Sequence, residues 1–179
     1  VLRSSTDSNY FGRTSGTARV APAFDLDLSK VLITRNTESP QSFGEYDAGV
    51  NKGDVLVVQS DTYNPSFTVT SEDGETIDNK EASMLKGKIA FAYTDANIGD
   101  SISAMLYDES GEQFYYGSFA TAEAASGTAE IDLSLIPKGD YTLALFSENT
   151  TTHLATVPTV LKAKIGSVID NDDSEYESF

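Results

Sequence analysis

Between Ser101 and Phe146 the apolar and polar positions of the chain alternate with a period of two. Ile102, Ala104 and Leu106 alternate with Ser101, Ser103 and Met105, and Ile131, Leu133 and Leu135 alternate with Asp132 and Ser134. Tyr141, Leu143 and Leu145 repeat the pattern. Such alternation predicts strands with one buried face. Glycines at Asp108-Glu109-Ser110-Gly111 and at Pro137-Lys138-Gly139-Asp140 provide tight turns between the runs. The same reading extends to both sides and predicts strands at 54–59, 66–70, 87–93, 101–107, 113–119, 129–135 and 141–147, closed by one at 159–165. The fold class is therefore all-β: an immunoglobulin-like antiparallel β-sandwich with an N-terminal β extension. Seven strands suffice for such a sandwich, so an eighth places the run at 54–59 on the linker side. Tyr141, after Gly139-Asp140, is expected to tie a sandwich corner through its hydroxyl.

The ends of the chain follow other rules. Residues 1–18 are rich in Ser, Thr, Gly and Asn and bury too little by themselves to order. Phe24, Leu26 and Leu28 then alternate against Asp25 and Asp27, a strand pattern whose unpaired N–H and C=O groups require a sheet to join. Pairing within the chain is the simpler expectation, and addition to a neighbour's sheet edge the alternative, so self-association stays open. Pro40, Gly44, Gly49 and Gly53 interrupt residues 36–53, which read as a connection. The expected organisation is 1–45 as an extended β segment with linker, 46–168 as the sandwich and 169–179 as an acidic tail. Val1-Leu2-Arg3-Ser4 has neither an initiator Met nor the character of a signal peptide, so a longer polypeptide is expected around these residues.

Composition narrows the function classes. With 179 residues, no cysteine and a formal net charge of −16, the chain is long enough for a real core and has no disulfide or thiolate metal site. The acidity argues against nucleic acid, whose binding draws on Lys and Arg, and no stretch is apolar enough for membrane insertion. Catalytic signals are weak. His153 is the only imidazole, in Glu148-Asn149-Thr150-Thr151-Thr152-His153, without triad order or metal spacing, and a loop histidine is the plainer reading. No carboxylate pair sits in an apolar setting that would raise one pKa, so solvated acids are the plainer reading there. No catalytic residue, metal ligand or cofactor is assigned, and the chain is expected not to be an enzyme. Asp170-Asn171-Asp172-Asp173 with Glu175 offers oxygens for calcium but lacks the turn glycine, which favours an acidic tail. Asn149-Thr150-Thr151 has the form of a glycosylation sequon. The aromatic strand Phe114-Tyr115-Tyr116-Gly117-Ser118-Phe119 carries rings on both faces. Tyr115, Tyr116 and Phe119, with Tyr63, are the candidate binding residues, for a sugar or a protein surface, against core filling as the alternative.

Several motifs point to a family. Leu2-Arg3-Ser4-Ser5, then Tyr10-Phe11, Gly16 and the run Arg19-Val20-Ala21-Pro22-Ala23-Phe24-Asp25-Leu26-Asp27-Leu28 with Val31-Leu32, resemble a segment of large secreted surface proteins of gut Firmicutes. There a domain of unknown function ends in a Trp-Trp-Leu-Arg-Ser motif and a Gly-Val-Arg-Pro-Ala-Phe-Asn-Leu stretch. An immunoglobulin-like region often follows it. Tyr93-Thr94 with Ala96, Ile102-Ser103-Ala104, Tyr115-Tyr116-Gly117, Ser126-Gly127-Thr128-Ala129 and Gly139 before Tyr141-Thr142-Leu143 match that region's habits. The chain departs by starting after the tryptophans and by an extra residue between Arg19 and Pro22. The resemblance implies that residues 1–25 are the last strands of a lectin-like domain. It also implies that Lys88 or Lys30 is a candidate for an intramolecular isopeptide bond.

The expected function is a non-catalytic structural or adhesive module of a bacterial secreted or cell-surface protein, spacing neighbouring domains and contacting a protein or glycan. The alternatives are a carbohydrate-binding module and a subunit of an extracellular fibre built by β-strand addition, for which Phe24, Leu26 and Leu28 are the candidate assembly strand.

Overall fold

The computed structural model describes residues 27–35, 40–43, 55–80 and 85–166. Its strands in chain order are β1 Val31–Arg35, β2 Val55–Gln59, β3 Thr68–Ser71, β4 Lys88–Thr94, β5 Ser101–Tyr107, β6 Gln113–Thr121, β7 Gly127–Asp132, β8 Gly139–Glu148, β9 Leu154–Ala155 and β10 Thr159–Ile165. One sheet has the order β3-β4-β7. The other runs β1-β2-β9-β8-β5-β6, with β10 also paired to β8. Setting β1, β2 and β9 aside leaves seven strands in an immunoglobulin-like sandwich, three facing four. No helix among the described residues is long and apolar enough to cross a membrane.

The alternation read from the sequence explains the first core. Ile102, Ala104 and Leu106 from β5, and Leu143 and Leu145 from β8, meet Val69, Phe91 and Ile131 of the facing sheet, all buried. At about 1.5–3 kcal/mol for each large apolar side chain buried, this layer is the main source of stability. Tyr141 stands at the corner entering β8, and its hydroxyl donates to the Pro137 carbonyl at 3.0 Å, as expected for a tyrosine corner. Gly139 lies against that ring: a Cβ there would sit 3.2 Å from a Tyr141 ring carbon. The chain between β3 and β4 crosses to the other sheet. It runs beside β10, with Asn79 N–H donating to Val160 O and Lys162 N–H to Lys80 O, which covers that edge.

A second core lies on the opposite face of β5 and β8, which the alternation assigns to solvent. Met105, Ala144 and Phe146 there are buried with Ile33 of β1, Val57 of β2, Ala155 and Tyr116. The sheet path through β9 is short, two residue pairs with β2 and one with β8, and it lets the β1–β2 pair fold back over this face. Both faces of β5 and β8 are thereby covered.

Several boundaries differ from those expected. Leu28 is in a 3-10 turn, Leu28–Lys30, and is 74% exposed. Asp27 caps this turn by accepting from Ser29 N–H, a local satisfaction that competes with strand pairing. β1 begins at Val31 and pairs antiparallel with β2 of its own chain. Phe24 and Leu26 lie outside the described residues, as does the tail 169–179. The run at 129–135 ends as a strand at Asp132, whose carboxylate accepts from Ser134 N–H and turns the chain. Leu135 is consequently exposed and Ile136 fills the core instead. Ile33 packs in the second core and Phe43 in the first, beside residues of the sandwich.

Phe43 reaches the first core because residues 41–43 lie against β6. Ser42 bridges Ser118, Phe43 N–H donates to Ser118 O at 2.8 Å, and Ser118 N–H donates to Gln41 O at 2.7 Å. Gly117 makes this approach feasible, for a Cβ there would lie 2.6 Å from the Phe43 backbone. Gly117→Val is therefore expected to destabilise the fold by about 1–3 kcal/mol, lowering Tm by roughly 2–12 °C in calorimetry. A Tm equal to the parent's would show that residues 41–43 do not sit on β6.

Candidate functional site

Loops at one end of the sandwich converge on a single buried carboxylate. Asp100, just before β5, is buried, and its Oδ2 accepts from Tyr63 Oη at 2.6 Å, Ser147 Oγ at 3.1 Å and Asn97 Nδ2 at 3.3 Å. Its Oδ1 accepts from Asn149 Nδ2 at 2.9 Å. The β2–β3, β4–β5 and β8–β9 connections are thus joined at one residue. The β6–β7 connection is held by backbone bonds, with Ala122 N–H donating to Asp100 O, Gly99 N–H to Ala122 O and Ala96 N–H to Ala125 O. Local backbone chemistry permits these bends. Gly99 adopts φ +92°, and Asn64, Asp95 and His153 also adopt left-handed conformations, a region that Asn, Asp and His enter more readily than most residues. Asn64 Nδ2 donates to Asp95 O at 2.7 Å, tying two of the bends together.

The result is a rigid loop surface that carries apolar side chains outward. Ile98, at the tip of the β4–β5 loop, is 74% exposed, and Val157, where the chain leaves β9, is about half exposed. Ser147 and Thr156 exchange bonds below Val157: Ser147 N–H donates to Thr156 Oγ1 at 3.0 Å and Thr156 N–H to Ser147 O at 2.9 Å. Loops held on a rigid sandwich are the usual place for recognition. Tyr63 lies half-buried under this surface. Its burial, followed by the bond to Asp100, pushes its phenol pKa up to about 12.

A second polar group is enclosed in the second core. Glu148 is 0% exposed. Its Oε2 accepts from Arg35 Nη1 at 2.6 Å, and its Oε1 accepts from Ser103 Oγ and Tyr116 Oη, each at 2.6 Å. Arg35 Nη1 also donates to Tyr116 Oη at 2.5 Å. Burial, and next the Glu148 charge, push the Tyr116 phenol upward, so it serves as a fixed donor. The Tyr116 ring stacks on Phe146, with centroids 6.4 Å apart and planes 7° from parallel.

These placements revise the expected aromatic site. Tyr115 and Tyr116 are 7% and 3% exposed and belong to opposite cores. Neither offers a face on which a sugar could stack. Phe119 packs half-buried against the first core. Only Tyr63 belongs to the loop end, where it acts as a donor to Asp100. His153 closes the turn after β8, where Asn149 Oδ1 accepts from the Thr151 and Thr152 N–H groups and Asn149 O accepts from His153 N–H. That turn engages the Asn149 amide nitrogen with Asp100, which a glycan on the sequon would displace. Lys30 and Lys88 lie on the surface, in ion pairs with Asp61 at 3.1 Å and Glu130 at 2.9 Å. Bonding to Glu130, and its charge, hold the Lys88 pKa above the usual lysine value, which opposes the neutral amine an isopeptide bond requires. The region Asp170–Glu175 lies outside the described residues. Among the described residues no group of His, Cys, Asp and Glu gathers as metal ligands.

The sequence marks neither Asp100 nor Glu148, since both are single acids among 28. Comparison with known proteins supplies no further guide: no family model, curated protein or solved structure matches the chain.

Two outcomes test the loop end. Asp100→Ala leaves Tyr63, Ser147 and Asn149 without their acceptor and is expected to cost about 2–4 kcal/mol. Hydrogen exchange should then quicken at residues 94–100 and 147–156 while the β4–β7 ladder stays protected. Alkali provides the second test. Tyr63 holds its proton more tightly folded than unfolded, so the stability it adds is complete below pH 10 and is lost as pH rises toward about 12. Tyr63→Phe should therefore show a shallower fall in Tm across that interval than the parent.

Proposed function

We propose that this chain is a non-catalytic structural and adhesive module of a bacterial secreted or cell-surface protein. The sandwich spaces and presents neighbouring domains, and its loop end contacts a host or neighbouring protein. The observation that carries the reading is the exposure of Ile98, on the β4–β5 loop tied to its neighbours through Asp100, and of Val157, next to Thr156, which is bonded to Ser147. A surface held rigid before contact loses little conformational entropy on binding, so exposed apolar side chains on it can contribute net affinity. The resemblance of the Leu2-Arg3-Ser4 and Pro22-Ala23-Phe24 motifs to surface proteins of gut Firmicutes supports the location, and the net charge of −16 favours a partner with basic groups around an apolar centre.

Binding of the purified chain to cultured epithelial cells and to bacterial cells, read by flow cytometry, tests this. Ile98→Asp with Val157→Asp should weaken binding about tenfold or more while leaving Tm within a few degrees, because both side chains are exposed. Equal binding by parent and double variant would remove the loop end as the contact. A parent that binds neither surface would remove the adhesive half of the proposal.

A further inference from the structure

The chain closes several of its own strand edges with backbone. Asn79, Lys80 and Leu85 bond along β10, Thr70 of β3 bridges Thr76, and residues 41–43 lie on β6. β7 ends its sheet without such cover: among the described residues, no backbone group bonds to its side facing away from β4. The register identifies the open groups. Leu133 N–H donates to Gly87 O, and Ile131 and Ala129 stand opposite Ile89 and Phe91. Opposed residues of an antiparallel pair alternate between bonded and unbonded. Ala129 and Ile131 therefore bond to β4, and the N–H and C=O groups of Thr128, Glu130 and Asp132 point outward. In constant-type immunoglobulin sandwiches a fourth strand occupies this place.

The side chains along this edge set what it accepts. Thr128, Glu130 and Asp132 are exposed, while Ala129 and Ile131 point into the first core. Lys88 stands opposite Asp132 on β4 and pairs with Glu130 at 2.9 Å, so two acids on the edge strand face one lysine behind them. A second copy pairing antiparallel through the same edge would set acid against acid, which destabilises a sheet. On the inward side, Phe119 and Ala120 of β6 pack half-buried against the core that Ala129 and Ile131 share. We infer that the β7 edge accepts an extended segment of another protein, in which Lys or Arg alternate with aliphatic residues, as a fourth strand of this sheet. Bonds to the backbone of Thr128, Glu130 and Asp132 hold the segment, its cations lie beside Glu130 and Asp132, and its aliphatic side chains turn toward the core. The net charge of −16 draws a basic segment toward the chain. This surface does not use Ile98 or Val157, so the inference stands whatever the loop end contacts.

Amide hydrogen exchange of the full chain, read by NMR with the peptide acetyl-Lys-Val-Lys-Val-Lys-amide as probe, tests this. In the free chain the N–H groups of Thr128, Glu130 and Asp132 should exchange quickly and those of Ala129 and Ile131 slowly. Saturating peptide should slow the first three several-fold. The same peptide with N-methyl groups on the lysine backbone nitrogens keeps its charge but loses the donors, and should leave those rates unchanged. Glu130→Lys should weaken peptide binding several-fold with Tm within a few degrees of the parent's, because the side chain is exposed. Slow exchange at Glu130 in the free chain would show the edge already covered and overturn the inference. No slowing by the peptide, or equal slowing by its methylated form, would also overturn it, the second outcome meaning charge attraction without strand addition. Undiminished binding to Glu130→Lys would remove the basic partner, and slowing of the three amides when the chain alone is concentrated would assign the edge to a second copy; either overturns the inference.

Discussion

The burial of β5 and β8 on both faces is the constraint on which the architecture depends. Their first face forms the ordinary core of a sandwich, but their second presents Met105, Ala144 and Phe146, with the carboxylate of Glu148 at the end of the row. Left open, that face would expose apolar surface to water, and covered by an apolar layer alone it would strand a charge. The β1–β2 pair meets both demands, because Ile33 and Val57 supply apolar cover and Arg35 supplies the opposing cation. A buried ion pair adds little net stability compared with an apolar pair of the same shape, since desolvation offsets attraction. Its effect here is to select one covering strand in one register, as an arginine two residues earlier or later would miss Glu148.

That cover makes β1 part of the same folding unit as the sandwich. The packing of Phe43 and the approach of residues 41–43 to Gly117 extend the dependence to the edge of β6. A strand edge and an apolar face, both sites of unwanted association in β-proteins, are thereby occupied.

The loop end rests on a different device. Asp100 accepts from four side chains, so connections that arrive from distant parts of the sequence share one acceptor. Hydrogen bonds to a charged acceptor are stronger than neutral ones, and several donors together make up for the loss of water around a buried carboxylate. Rigid loops can then carry Ile98 and Val157 outward without collapsing onto the core.

The sequence by itself determined most of the sandwich strands and the face of each that meets the first core. Period-two alternation is a local property, so β4, β5, β8 and β10 were legible within a residue or two, as were the turn at Gly111 and the corner made by Tyr141. The run at 54–59 was legible as a strand, but its place beside β1 and β9, outside the seven-stranded sandwich, was decided by the tertiary structure. What covers the second face was not legible as such, although the signal was present: Met105, Tyr116 and Phe146 are apolar or aromatic at positions the alternation assigns to water. Rings on both faces of β6 fit either a binding surface or core filling, and Tyr115 and Tyr116 fill the two cores. Only the tertiary structure could decide this, because an apolar side chain on an outward face looks the same in sequence whether it meets a ligand, a partner or a distant strand of its own chain. The acids show the same limit. Asp100 and Glu148 differ from the solvated carboxylates around them only in what the fold brings within 3.3 Å, and those partners lie as far away in the chain as Arg35 is from Glu148.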